Sequence, residues 1–374
     1  MIHIVLDTNI YRHNPSRDNL HFKALEKLSM EGAIRLHIPY VVMREFQTQQ
    51  REIYSKDLTK ALSGLSGLSR KQLDIHILKK LNTLKDGLEN ESENILSNAE
   101  DQITQWAKKV GANIHPLCIN QANAALEAYF QGNPPLKSVK SREDIPDSFI
   151  VQSILKLNSE NSGIHVVAED QNIRDAFTNV EAICTYKSLA DFIESNLIQD
   201  QLKDIDFINN IGPIVDAIEL HEAEEKEILS FISSNIGEAI VWKAFTDQSI
   251  PDDNNEATIN SYGEAEDIEL DYSGVRYYGN GQFGIPFGLK IDVLADYYIF
   301  KSDYYCMDAE REHVPHVSDH NDHYFEAEEE FELNVRGLVS ITIDRDKINL
   351  ERIFESIVNN SFAIDEITGI ELCQ

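Results

Sequence analysis

Cysteine is scarce in this chain: Cys118, Cys184, Cys306 and Cys373 are the only four in 374 residues, and none is in CxxC spacing. That excludes a disulfide framework and a thiolate zinc site, and predicts ordinary thiols in a reducing compartment. Long apolar runs are missing as well. Nothing approaches the roughly eighteen consecutive apolar residues of a membrane helix, so no membrane association is expected. Strand-forming residues begin at Ile2, which leaves no room for the charged and apolar regions of a signal peptide. A cytoplasmic location is the resulting expectation. What the chain lacks most is positive charge: 33 Lys and Arg stand against 64 Asp and Glu, a net of −31. The deficit is uneven. Residues 1–200 hold 22 basic against 26 acidic side chains, net −4, while residues 201–374 hold 11 against 38, net −27. Such a charge points the second half away from phosphate and toward solubility, repulsion of nucleic acid, or a basic protein partner.

The length predicts two domains, with a boundary near residue 200. In the first, apolar runs at Ile2–Leu6, Ile34–Ile38, 112–118, Ile164–Ala168 and Val180–Tyr186 read as strands separated by helical segments. That alternation predicts an α/β domain with a parallel sheet. Phe22, Leu25 and Leu28 mark the apolar side of a helix stopped by Gly32, and Pro39 is expected near the first position of the next helix. Residues 50–110 form a helical insertion, with its break expected at Ser63–Gly67. The second half opens helically at about 214–245 and continues through a polar loop at 249–264. There the period changes to two. Leu289, Ile291 and Val293, and later Phe331, Leu333 and Val335, alternate with polar residues, and Asn280-Gly281 is a favoured hairpin turn. A smaller acidic α+β domain with an antiparallel, meander-like sheet and a closing helix near 350–358 is expected.

Four acids, distant in sequence, each sit where a strand or helix meets a loop: Asp7, Glu45, Asp147 and Asp170. Open parallel sheets place ligands beyond the carboxyl ends of their strands, and Asp7 and Asp170 both close predicted strands. An oxygen-only cluster suits Mg²⁺ or Mn²⁺ better than zinc. Two such ions can activate water and neutralise charge on a phosphodiester. Asn9 and Thr8 follow Asp7 and are placed to orient it, or to cap the next turn. Asp144 lies one turn before Asp147, so either can be the third ligand; Asp147 is favoured by its position in the helix. Taken singly, each acid also has a plainer reading: Asp7, Asp144 and Asp170 as caps or turn formers, and Glu45 as a solvated helix residue.

The run Ile4-Val5-Leu6-Asp7-Thr8-Asn9 resembles the opening of PIN-domain nucleases. So do Val41-Val42-Met43-Arg44-Glu45-Phe46 for the family's second acid, Asp144-Ile145-Pro146-Asp147-Ser148 for its third and Ala168-Glu169-Asp170 for its fourth. Ala168 replaces the threonine usual in the last motif. The resemblance covers residues 1 to about 190 and suggests a bacterial PIN-like subgroup with a C-terminal extension. It implies a three-layer PIN-like domain and a metal-dependent endonuclease with Asp7, Glu45, Asp147 and Asp170 as metal ligands. It further implies single-stranded RNA rather than DNA as substrate, hydrolysis by a metal-activated water, and compatibility with a homodimer. Two other readings stand beside it: a PIN fold used as a binding or regulatory module restrained by its acidic second domain, motivated by the charge asymmetry, and a DNA nuclease using the same four acids.

Between Arg44 and Lys85 nine basic residues face four acids. Arg44, Arg51, Lys56 and Lys60, with Lys137, Lys140 and Arg142 before Asp144, are the candidate phosphate-tracking residues; a solvated helix face is the plainer reading. His313, His316, His320 and His323 lie beside Asp319 and Asp322, where a polar loop between strands is a better reading than zinc binding. The glycines of 279–284 lie between strands, which disfavours a nucleotide loop. Tyr297, Tyr298, Phe300, Tyr304 and Tyr305 are expected in sheet core or a protein interface rather than stacked on bases.

Overall fold

The computed structural model describes residues 1–161, 163–206, 211–306, 315–344, 347–358 and 361–373. Two compact units emerge, Met1–Gln201 and Leu202–Gln374. No helix among the described residues is long and apolar enough to cross a membrane.

The first unit is built on a five-stranded parallel sheet: β1 (Ile2–Leu6), β2 (Ile34–Pro39), β3 (Asn113–His115), β4 (Ile164–Val167) and β5 (Ile183–Tyr186). The strand order is β3-β2-β1-β4-β5. The chain winds outward from β1 through β2 to β3, then returns to place β4 on the other side of β1. The β1/β4 junction is therefore the topological switch point, where open sheets bind ligands. Helices α1 (Thr8–His13), α2 (Leu20–Met30), α3 (Tyr40–Ser69), α4 (Ile75–Lys109), α5 (Ile119–Gln131), α6 (Ile145–Glu160), α7 (Gln171–Asp175) and α8 (Leu189–Ile193) complete it, and the boundary at Gln201 falls within α9 (Asn196–Asp206). The strands are near-continuous apolar runs because helices cover them; Ile4, Val5, Leu6, Leu36, Ile38, Val166 and Val167 are all buried.

Pro39 ends β2 with extended geometry and is the N-cap of α3, next to its first residue as expected. Two boundaries differ from the sequence reading. The helical break falls at 70–74 and not at Ser63–Gly67, because α3 continues to Ser69. Glycine inside a helix costs only about 1 kcal/mol, whereas Asp74 caps α4 with its side chain on the His76 N–H at 2.8 Å. The strand expected from Val180 begins only at Ile183 (β5), because the Val180 N–H closes a turn onto the Phe177 carbonyl at 3.0 Å.

Helices α3 and α4 fold back on each other as a long hairpin. Only its base is core: Val42, Phe46, Gln47 and Gln50 of α3 and Ala99, Ile103, Trp106 and Ala107 of α4 are buried. The rest projects, α3 alone being about 45 Å long at 1.5 Å per residue.

The second unit begins with α10 (Gly212–Glu225) and α11 (Glu227–Ile240). A seven-stranded antiparallel sheet follows: β6 (Ala244–Thr246), β7 (Glu256–Leu270), β8 (Arg276–Gly279), β9 (Gln282–Phe300), β10 (His316–Asp319), β11 (Tyr324–Thr342) and β12 (Ala363–Leu372). A short helix, α12 (Lys301–Cys306), follows β9. The alternating runs read from the sequence pair with each other, Leu289 with Val335, Ile291 with Leu333 and Val293 with Phe331. Asn280 and Gly281, both at positive φ, turn β8 into β9. The polar stretch expected as a loop from 249 to 264 becomes β7 from Glu256 onward. Its largely exposed side chains hide the period of two, and three register irregularities against β9 interrupt it further. The expected closing helix is a kinked 3-10 segment, Leu350–Ser356, and β12 then pairs with β11. Glycine is required at Gly237 of α11, where a Cβ would fall 1.9 Å from the Tyr262 ring of β7.

Candidate active site

Asp7 leaves the end of β1 at the switch point, its N–H bonded to the Val167 carbonyl of β4 at 2.8 Å. That bond sets Asp7 beside the turn from Ala168 to Asp170. Asp7 is only 3% exposed. It occupies the N-cap position of α1, yet its side chain makes no capping bond, and Oδ2 is buried without a partner. Burial pushes its pKa up to about 6, with Glu45 and Asp170 adding repulsion and the amides of Thr8 and Asn9 opposing the rise.

Glu45 reaches the same place from α3. An aromatic cluster fixes the rotation of that helix: Phe46 packs on Tyr11 of α1, with ring centroids 6.0 Å apart, and Tyr11 meets Trp106 of α4 at 5.9 Å. The Trp106 indole in turn donates to Glu26 of α2 at 2.5 Å. With Phe46 held inward, Glu45 faces the end of β1 and accepts a hydrogen bond from the Thr8 hydroxyl at 2.7 Å. Burial raises the Glu45 pKa and the Thr8 bond opposes it.

Asp147 stands in the first turn of α6, after Pro146. The neighbouring Ser148 hydroxyl donates to the Ala125 carbonyl of α5 at 3.1 Å, which anchors that turn. Burial lifts the Asp147 pKa to about 7, and the charges of Asp7, Asp170, Glu45 and Asp144 push the same way. Asp170 caps α7, accepting from the Asn172 N–H at 2.6 Å. Its capping role and its nearness to the other acids coexist, since the bond occupies Oδ1 alone.

Asp144 does something different. Its Oδ2 accepts from the Lys137 N–H at 3.1 Å, and the Lys137 ammonium lies 4.0 Å from Oδ1. Against the cost of burial, the Ser141 hydroxyl, the Lys137 amide and the Lys137 charge hold its pKa below the usual value. Asp144 thus ties down the loop before α6, while Asp147 feels all the other acids.

Among the described residues no group of three or more His, Cys, Asp or Glu side chains is preassembled to hold a metal ion. The chemistry of the set nonetheless suits a hard cation. It offers oxygen only, one buried carboxylate oxygen has no partner, and burial, with repulsion among the acids added, raises two pKa values. Mg²⁺ keeps several waters and takes few carboxylates directly, so a looser cluster is compatible with it.

The candidate basic residues divide. Arg44 donates to Gln47 at 2.8 Å and lines an open cleft of about 460 Å³ beside Glu45. Arg51 is held by Glu93 and Glu100 of α4 within the hairpin, and Lys60 lies 3.8 Å from Asp57. Lys56 and Arg142 are exposed, and Lys140 is held at positive φ by its N–H bond to the Tyr129 carbonyl. Asn9 is half-buried in the first turn of α1. The sequence reading missed the cleft and the role of Thr8. The signal for the first was Val41, Glu45 and Gln49, a row of one-turn spacings on α3.

In the second unit His313 lies outside the described residues. His316 is in β10, His320 packs on Tyr298 with centroids 4.4 Å apart, and His323 lies 6.5 Å from Phe300. Tyr297 is buried and bonds Glu329 at 2.8 Å, whereas Tyr304 and Tyr305 pack on Phe325.

Comparison with curated proteins and with solved structures gives no match. Residues 4–173 match the family model described as PIN domain. That span runs from the middle of β1 into α7 and contains Asp7, Glu45, Asp147 and Asp170. The first unit therefore carries a PIN domain over residues 4–173, and PIN domains are generally nucleases.

Proposed function

We propose that the chain is a metal-dependent endonuclease acting on single-stranded RNA, with Asp7, Glu45, Asp147 and Asp170 as its metal-holding acids. The single observation that carries this reading is a buried acid at the sheet's switch point, Asp7, whose Oδ2 has no partner and beside which Thr8 holds Glu45. Two carboxylates are raised to about 6 and about 7 at the switch point of a parallel sheet, with two more acids beside them. A fold tolerates several acids partly buried together most readily where a cation offsets their charge.

When bound, Mg²⁺ or Mn²⁺ would supply Lewis acidity and activate water for attack on phosphorus. The chain's own residues prepare the place. Asp7 is rigid at a strand end, Thr8 orients Glu45, and the Asn172 amide orients Asp170. Asp147 brings a carboxylate from the first turn of α6, held there by the Ser148 bond to Ala125. Asn9 and Thr8 are assisting groups, and Asp144 assists by positioning the loop before α6. Arg44, Lys56, Lys137, Lys140 and Arg142 are the proposed phosphate contacts, with Arg51 and Lys60 further along the hairpin. RNA is favoured over DNA on the family resemblance.

The second unit's net charge of −27 favours a second reading of that part alone: a restraint on nucleic-acid access or a surface for a basic protein partner. Faster cutting by a chain lacking residues 202–374 would support restraint. For the nuclease itself, the test is cleavage of labelled single-stranded RNA with Mn²⁺ compared with EDTA. Metal-dependent products support the reading; equal cutting in EDTA defeats it.

A further inference from the structure

We infer that the cleft between α3 and α6 is a subsite for one unpaired nucleobase flanking the scissile phosphate. This rests on the nuclease reading for its meaning but not for its detection. The cleft, about 460 Å³, shares Glu45 with the acid cluster, and its volume falls in the range of small-ligand sites, about 300–1,000 Å³. Its walls are apolar: Tyr40 and Val41 from α3, Pro146 and Phe149 from α6. Tyr40 is 43% exposed although it is a large aromatic side chain at a helix start.

Two polar groups set the chemistry of the occupant. Gln49 lies one turn beyond Glu45 and lines the cleft; its Oε1 is buried and has no hydrogen-bond partner. A buried orphan acceptor is costly, and rotation of the Gln49 side chain into the cleft lets an N–H donor there satisfy it. Every nucleobase carries such donors on its pairing edge, but in a duplex they are already engaged. A base splayed out of the stack offers both the free edge and a flat face for Tyr40 or Phe149. Arg44, on the same wall, is placed for the phosphate of that nucleotide. The subsite therefore selects single strands: a paired base can neither enter the cleft nor donate to Gln49.

The test measures binding separately from cleavage. Full-length protein is titrated into fluorescent single-stranded RNA, and into the same strand annealed to its complement, with Ca²⁺ replacing Mn²⁺. Tyr40→Ala, Phe149→Ala and Gln49→Leu are each expected to weaken single-strand binding about tenfold while leaving its salt dependence unchanged, as loss of stacking or an uncharged contact should. Arg44→Ala is expected to reduce the salt slope instead. Because Phe149→Ala can disturb α6, a strand bearing 4-thiouridine is also photocrosslinked to the wild-type chain, with adducts expected at Tyr40, Gln49 or Phe149. Duplex binding as tight as single-strand binding, unchanged affinity in the variants, or crosslinks confined elsewhere would overturn the subsite. Wild-type protein that crosslinks at these residues but cuts nothing with Mn²⁺ would defeat the nuclease reading and leave the subsite standing. Normal cutting with unaltered binding in all three variants would do the reverse.

Discussion

The hydroxyl of Thr8 donates to Glu45 at 2.7 Å, joining two residues 37 positions apart and binding the end of β1 to the second turn of α3. Thr8 sits in the turn after Asp7, so one short bond fixes the spacing between two acids that come from different layers. Removing it should leave the fold intact and free Glu45 to rotate toward solvent. Thr8→Val is expected to lower metal-dependent cleavage by about ten- to a hundred-fold, the usual range for a group that orients a metal ligand. Thr8→Ser should retain most of the rate. Equal rates for Val and Ser would mean that the hydroxyl does not position Glu45.

Asp7→Asn is expected to abolish cleavage and to stabilise the metal-free protein. The carboxylate is buried, Oδ2 lacks a partner, and its pKa stands at about 6 instead of 3.8. At pH 8 that shift corresponds to a penalty of roughly 2–3 kcal/mol, which an uncharged amide avoids. Chemical denaturation in EDTA checks this; a variant less stable than wild type would argue for a structural role of the charge.

The same carboxylates set a pH dependence. With folded pKa values of about 6 for Asp7 and about 7 for Asp147, both raised from 3.8, the folded state binds protons more tightly than the unfolded chain. Their contribution to stability is greatest below pH 4 and falls as pH rises through 6 to 7. A cation offsets the repulsion only once the acids are ionised. The increase in Tm caused by Mn²⁺ should therefore be larger at pH 8 than at pH 5, and Asp147→Asn should reduce the difference.

An opposite trend comes from three imidazoles crossing the sheet. His37 of β2 bonds His3 of β1 at 2.9 Å and His115 of β3 at 2.8 Å. Burial lowers the His37 pKa to about 4, and His115, His3 and Arg35 add to the effect. Stability from this group is complete above the unfolded value of 6.5 and is lost as pH falls toward 4, by roughly 3 kcal/mol in all. His37→Gln should flatten the loss between pH 7 and pH 5, read by denaturant unfolding of the full chain.

Gly237→Ala should destabilise the second unit by about 1–3 kcal/mol, the cost of overpacking, because the added methyl meets the Tyr262 ring. Adding Tyr262→Ala should restore part of the loss; no restoration would place the strain elsewhere.

Much of the first unit was legible because its signals are local. Apolar runs ending in Asp7 and before Asp170 mark strand ends, and parallel strands under helices carry no polar alternation to confuse them. The sequence also contained the paired β9 and β11, where Leu289 to Val293 and Phe331 to Val335 alternate cleanly. What stayed hidden depends on partners. β7 exposes most of its side chains and is held by backbone pairing to β9, so Glu256 to Gly263 looks like a polar loop. Helix α3 runs through Gly64 and Gly67 because neither glycine breaks its ladder, while Asp74 starts the next helix. Asp144 and Asp147 could not be separated by spacing; the Lys137 contacts to Asp144 distinguish them. Gln49 became visible only when α6 was placed opposite α3.

Cleavage of matched single-stranded RNA and DNA by wild-type protein and Asp7→Asn, each with Mn²⁺, Mg²⁺ or EDTA, tests the central claim most directly. Metal-dependent cutting of RNA in preference to DNA, lost in EDTA and in Asp7→Asn, is the expected result. Undiminished cutting by Asp7→Asn, or no cutting by wild type with either metal, would contradict it.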